Sequence, residues 1–256
     1  MKPFFAYLKK EMLDTARTGK LLVFSLIFVL FGIMNPAIAK LTPWMMDTLA
    51  DTMAESGLLI TGVKVDAMTA WTQFFKNIPL ALMAFVLLNS DIFTKEYRSG
   101  ALVLLLTKGL HRRGVLLSKA ALLCGLWTTG YWLCFAITYG YSAYFWDNGV
   151  VCSLFPAAAI WWLFGVWVIS VMVLFSTILS NNAGVLLGVV GTILSAYLLG
   201  IHPAAARWTP VMLTRVHPLL TGVEKVGLYG LSVLITIMMC LGSIVSGIWA
   251  MNRRQF

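Results

Sequence analysis

The chain has 256 residues, 60% of them hydrophobic and only 11% charged, with a formal net charge of +9. A soluble domain carries about a quarter charged residues, so an ordinary soluble globule is excluded; the apolar residues also fall in blocks of roughly twenty, the length that crosses a hydrocarbon core of about 30 Å as a helix. The basic residues lie between those blocks and not on one soluble domain, which points to membrane lipids and away from nucleic acid as the partner.

In chain order, Phe4, Leu8, Met12 and Ala16 recur every four residues with Phe5 beside them, while Lys9, Lys10, Asp14 and Arg17 turn elsewhere. This pattern predicts an amphipathic helix over residues 3–18, lying on the cytoplasmic membrane surface. A first span follows over residues 21–39, with Asn35-Pro36 near its outer end as a place to kink or stop. The run Leu21 to Met34 before Ala37-Ile38-Ala39 fits a signal-peptide cleavage pattern. The basic lead of about twenty residues is long for one and has its own helical pattern, so the segment is read as a retained span. Beyond it, Asp47, Asp51 and Glu55 recur at four-residue spacing with Met45, Leu49 and Met53 on another face. That spacing predicts an external amphipathic helix with an acidic stripe, lying on the outer leaflet or contacting cationic cargo.

The second span covers residues 76–93, a cytoplasmic loop 94–116, and the third span 117–145, long enough to tilt. The fourth (154–179) and fifth (183–201) are separated only by Ser180-Asn181-Asn182. Along the fifth, Gly184, Gly188, Gly191 and Ser195 form a small-residue ridge of the kind that lets helices pair closely in lipid, either within one chain or with a second. Residues 202–227 hold His202-Pro203, Trp208-Thr209-Pro210 and His217-Pro218, which predict short broken helices dipping back toward the membrane. The sixth span covers 227–251. The fold class is therefore an all-α integral membrane protein of six transmembrane helices. Thirteen Lys and Arg on the side of the termini against six on the other place both ends in the cytoplasm.

Several chemistries lack their residues. Ion-coupled carriers need ionisable groups at membrane depth, and the middles of these six blocks have none; Asp91 and Lys119 sit at cytoplasmic ends, where interfacial snorkelling accounts for them. No HExxH or GxSxG motif occurs, and His111, His202 and His217 lie in separate loops. The cysteines Cys124, Cys134, Cys152 and Cys240 form no CxxC pair, so neither a metal site nor a disulfide framework is expected. Gly19-Lys20 lacks the rest of a phosphate loop. Uphill transport therefore requires a second chain to supply the energy.

The loop after the second span reads Asp91-Ile92-Phe93-Thr94-Lys95-Glu96-Tyr97-Arg98-Ser99-Gly100-Ala101-Leu102-Val103-Leu104-Leu105-Leu106, then Thr107-Lys108-Gly109-Leu110-His111-Arg112-Arg113-Gly114 and on to Lys119. A Glu, a Gly shortly after, a Leu-rich stretch, a basic residue and a Lys opening the next span resemble the permease subunits of type-2 ABC exporters, and the resemblance covers nearly the whole chain. It departs from the commoner pattern at Ala101, where Thr often follows the Gly, and at Lys108-Gly109-Leu110, where a Pro often interrupts. The resemblance implies a cytoplasmic coupling helix between spans two and three that seats on an ATPase subunit, present in two copies. ATP and Mg belong to that partner, and this chain itself holds no cofactor. The matching positions are Glu96, Arg98, Gly100, Arg112 and Lys119, with Leu104, Leu105 and Leu106 as the apolar ridge. It further implies pairing with a second copy or a related permease through the first and fifth spans, and a bacterial cell membrane location. Spans without charge, the aromatics Trp127, Tyr131, Trp132, Tyr139, Trp161 and Trp162, and thirteen methionines suit an amphipathic peptide, antibiotic or lipid-like cargo, or are lipid-facing filling. A regulatory or scaffold subunit is the alternative.

Overall fold

The computed structural model describes residues 2–54, 65–100 and 111–253, and these are helical with no strand among them. Ten helices follow in order: α1 (Lys2–Arg17), α2 (Lys20–Ala54), α3 (Ala67–Asn89), α4 (Thr94–Ser99), α5 (Arg112–Phe145), α6 (Leu154–Ile178), α7 (Asn182–Leu199), α8 (Pro203–Ala206), α9 (His217–Leu220) and α10 (Gly230–Arg253). Six are long and apolar enough to cross a membrane: α2, α3, α5, α6, α7 and α10. Helix α6 is the buried axis, packed against α10, α5 and α7, while α2 packs on α3 and α5. Both described ends of the chain, α1 and the close of α10, lie at one end of the bundle, called here the basic end because Lys20, Lys95, Arg112 and Lys119 gather there.

The core is aromatic. Tyr131 of α5 stacks on Trp161 of α6 with ring centroids 6.2 Å apart, and Phe28 of α2 meets Trp127 edge-on at 5.9 Å. Two of the polar tips are paired across helices, Trp127 Nε1 donating to the Trp162 carbonyl at 3.1 Å and the Tyr131 hydroxyl to the Ala158 carbonyl at 2.8 Å, whereas the buried Trp167 Nε1 has no hydrogen-bond partner among the described residues. Trp127, Tyr131 and Trp161 are thus inter-helix packing, and not the lipid-facing filling or cargo surface suggested by composition.

The helices run further than the sequence reading allowed. Helix α2 does not stop or turn at Asn35-Pro36; it continues through Pro36 and Pro43 to Ala54. Asp47 and Asp51 therefore belong to the extension of the first span and not to a separate helix on the outer leaflet. Their side chains, together with all of Glu55, lie outside the described residues. Pro36 has no N–H, so the carbonyl of Gly32, four residues back, loses its helical partner. Thr138 of α5 supplies the replacement, its hydroxyl donating to Gly32 O at 3.1 Å. Asn35 Nδ2 donates to Thr138 Oγ1 at 3.3 Å, and Asn77 Nδ2 of α3 donates to Asn35 Oδ1 at 2.9 Å. This node joins three spans and satisfies the backbone where hydrocarbon offers no water.

The second span also starts early, at Ala67 and not at residue 76. Asp66 caps it, accepting from Thr69 N at 3.2 Å, and Trp71 anchors its first turns through Nε1 to Asn148 Oδ1 at 3.1 Å. Between α7 and α10, the short helices α8 and α9 and a 3-10 turn at Pro210–Thr214 form the predicted broken segment. It is tied down by Arg215 donating to Gly200 O, Ser232 donating to Arg207 O and the Tyr229 hydroxyl donating to Arg215 O.

Thr138→Val keeps the side-chain shape but orphans Gly32 O, and is expected to destabilise the protein in detergent by about 1 kcal/mol, the scale of membrane hydrogen bonds. Pro36→Ala in that background restores the helical N–H and recovers most of the loss. A double variant no more thermostable than Thr138→Val alone removes the carbonyl-rescue explanation.

Candidate functional site

At the basic end the six-residue α4 follows directly on the turn that closes α3, and Gly100 ends it at φ +68°. That left-handed conformation costs a residue with a Cβ roughly 1–2 kcal/mol and glycine almost nothing. The helix is held on four sides. Lys119, about two turns into α5, is 1% exposed. Its ammonium donates to Glu11 Oε2 of α1 at 2.9 Å and to the Ile92 carbonyl at 3.0 Å, and lies 3.2 Å from Glu96 Oε1 of α4. An ammonium has three hydrogens, so one charge joins α1, the turn, α4 and α5. The Tyr7 hydroxyl of α1 also donates to Glu96 Oε1, at 3.1 Å, and Lys10 Nζ donates to Glu11 Oε1 at 2.8 Å.

Two further joints surround this one. Lys20 at the start of α2 donates to Asp91 Oδ1 at 2.6 Å and to the Leu88 carbonyl at 3.1 Å. The hydroxyl of Thr94, the first residue of α4, donates to the side-chain oxygen of Asn182, the first residue of α7. Arg112, at the start of α5, donates to the carbonyls of Met251 and Asn252 at 3.1 and 3.2 Å, pairing the orphan carbonyls at the end of α10.

The electrostatics are those of a closed ionic knot. Burial, with the nearby Glu96 and Glu11 charges, raises the Tyr7 hydroxyl far above the ordinary phenol range, which keeps it neutral and a donor. Burial alone would raise Glu11, but Lys119 and Lys10 outweigh it and hold its carboxyl below the usual carboxylate range. Lys119 is therefore not a snorkelling interfacial lysine; it is buried and ion-paired, and Asp91 likewise is paired with Lys20.

Of the residues chosen from the sequence, Glu96 and Lys119 meet directly, Gly100 ends the helix that carries Glu96, and Arg112 is turned to α10. Leu104, Leu105 and Leu106 lie outside the described residues, as does the side chain of Arg98. Tyr7, Glu11, Lys20, Thr94 and Asn182 were missed. Tyr7 and Glu11 carried a signal, since they stand four apart on the face of α1 away from Phe5 and Met12, where a carboxylate between apolar neighbours asks for a partner.

The small-residue ridge divides. A Cβ on Gly188 would come within 2.6 Å of the Phe175 ring of α6, and one on Gly184 within 2.4 Å of its own capping residue Asn181. Gly191 meets nothing within 4 Å, and both it and Ser195 are exposed. One half of the ridge packs inside the chain and the other half is open.

Among known proteins, a family model described as "ABC-2 family transporter protein" matches residues 5–237. The chain is also 21% identical over 266 residues to an "Uncharacterized transmembrane protein YxlG" of Bacillus subtilis (strain 168), covering 100% of this chain and 99% of that one.

Removing one partner of a buried ion pair costs roughly 3–5 kcal/mol, so Lys119→Met is expected to lower thermal stability by about that amount. A Glu11→Gln, Glu96→Gln, Lys119→Met triple variant, with no uncompensated charge, should be markedly more stable than Lys119→Met alone. If the single and triple variants melt together, charge pairing is not what holds the junction.

Because Glu11 is depressed, its contribution is fully present above the ordinary glutamate value of about 4.3 and is lost only as pH falls through its lower folded value. Limited proteolysis should leave α1 protected from pH 7 down to 5 and release it only in stronger acid. Release near pH 6 contradicts the assignment.

Proposed function

Because the chain belongs to the ABC-2 transporter family, we propose that it is the membrane-spanning subunit of an ATP-driven exporter, working with two copies of a separate cytoplasmic ATPase that binds ATP and Mg. The basic end faces the cytoplasm of a bacterial cell, with both termini inside, in keeping with the excess of Lys and Arg there. Helix α1 lies on that membrane surface with Phe5 and Met12, exposed to 61% and 56%, toward lipid. The ATPase presses on α4 and the loop 101–110 that follows it. A second permease, identical or related, completes the path, and an amphipathic peptide, antibiotic or lipid-like molecule is the cargo.

The observation that carries this reading is the set of bonds on α4. A six-residue helix is tied by Glu96 to α5 and α1, by Thr94 to α7, and through the adjacent Asp91 to α2. An element meant only to connect two spans needs none of these bonds, whereas an element that must move several spans together needs a directional joint to each. Gly191 and Ser195 are the part of the α7 ridge open to the second permease; Gly188 is committed to Phe175.

The test is to purify the full chain with a candidate ATPase in lipid nanodiscs. Glu96→Gln and Thr94→Val together should retain the ATPase but reduce cargo-stimulated hydrolysis at least fivefold, the lower range of typical coupling energies. Failure of any ATPase to co-purify, or wild-type stimulation in the double variant, defeats the proposal. Gly191→Leu should weaken permease pairing without lowering the monomer's stability.

A further inference from the structure

The early start of α3 changes the standing of Lys76. It lies within the span Ala67–Glu96, roughly 13 Å in from Ala67 at about 1.5 Å per residue, and it is exposed. Lys119 and Lys20 are ion-paired and Lys40 rests 3.9 Å over the Phe145 ring. By contrast, no hydrogen bond, ion pair or ring contact joins Lys76 to another described residue. A charged side chain within a span is costly and marks a binding or transport path where it persists. Asn77 beside it is already engaged by Asn35, so the ammonium stands as a free donor.

Continuing from Lys76 along the same face of α3, positions three, seven and eleven residues on are Pro79, Met83 and Leu87. These three line an apolar groove of about 430 Å³ between α3, α6 and α7, whose other walls include Val168, Val190 and Leu194. That volume is within the range of sites for small molecules. The groove therefore runs from the hydrocarbon depth of the bundle toward the end where Lys76 stands. Tyr197 of α7 closes the same end, its hydroxyl 3.4 Å from Thr214 Oγ1.

An apolar trough with a lysine about one helical turn beyond its lining residue Pro79 complements one chemistry, an alkyl chain that ends in an anion. We infer that the groove binds a single-chain anionic amphiphile, with its chain between α3 and α7 and its acidic head on Lys76. A neutral lipid gains nothing from the lysine, and a cationic amphiphile is repelled by it. The inference names a substrate class for the transport reading above, but it is tested without an ATPase, so either can fail while the other stands.

The experiment uses the full chain in nanodiscs of zwitterionic phosphatidylcholine and two photoactivatable sixteen-carbon probes, one a carboxylate and one the matching alcohol. Labelled peptides are mapped by mass spectrometry across a dose series. The carboxylate should label α3 and α7 saturably, and Lys76→Gln should weaken that labelling about tenfold, the worth of one charge-assisted hydrogen bond. Lys76→Arg should preserve it, and the alcohol should be indifferent to both changes. Val190→Trp, which fills the groove, should abolish saturable labelling while leaving Lys76 in place. Equal saturable labelling by acid and alcohol, or no effect of Lys76→Gln, overturns the site in favour of ordinary bilayer contact. No labelling of α3 and α7 at saturation, with crosslinking between chains at Val190→Cys in a background without native cysteines, assigns the face to a second copy.

Discussion

The ammonium of Lys119 is the constraint on which the basic end depends. Two buried carboxylates, Glu11 and Glu96, approach the same point, and without a cation between them they would repel each other in a poorly screened environment. With it, each carboxylate is held by direction as well as by charge, and the third hydrogen fixes the turn through the Ile92 carbonyl. Desolvating these ions is expensive, and ion pairs of this kind often add little to net stability compared with apolar packing. What the arrangement does supply is geometry: an apolar contact between α1 and α4 could slide, whereas a three-way hydrogen-bonded ion has one arrangement. Tyr7, kept neutral by its surroundings, adds a fourth bond without adding a charge.

Pairing of buried polar groups also shapes the spans, the buried Trp167 Nε1 excepted. Helix α2 carries Lys20 at the basic end, bound to Asp91, and Asn35 further along, bound to Thr138 and Asn77. The two attachments lie fifteen residues apart, about 22 Å of helix. Because Thr138 takes up the carbonyl that Pro36 leaves open, the helix between and beyond them stays continuous. Under the exporter reading, a displacement of α4 is felt through Asp91 at one end of a stiff rod and delivered to a polar node joining the first three spans at the other.

Six spans and the helical broken segment after α7 were legible in the sequence, and it singled out Glu96 and Lys119, which the fold brings together. The spans were legible because block length and hydropathy are set by the solvent and survive any tertiary detail. The loop positions were carried by resemblance, and the physics behind them differs from what residue type suggests. Lys119 and Asp91 look like interfacial charges until α1 and α2 bring their partners. Those partners, Glu11 and Lys20, come from segments 108 and 71 residues away, and no local spacing reports such a separation. Thr94 and Asn182 are ordinary turn residues by type; only the fold brings one to the other. Gly188 shows the reverse limit, since a small-residue ridge announces a close neighbour but not which one.

The most consequential error concerned nine residues. Residues 67–75 contain Thr69, Thr72 and Gln73, and their polarity and lack of an apolar run place the span boundary at Lys76. The fold overrides that reading from both sides: Asp66 caps the helix, and Trp71 and Phe74, each fully buried, pack into the aromatic core. Moving the boundary transfers Lys76 from the first position of a span to its interior. The transfer also puts an ionisable group within a span, as Lys40 is within Lys20–Met46. A lysine that looked like one more boundary charge becomes an unpaired cation bordering an apolar groove, a combination that composition could not have revealed.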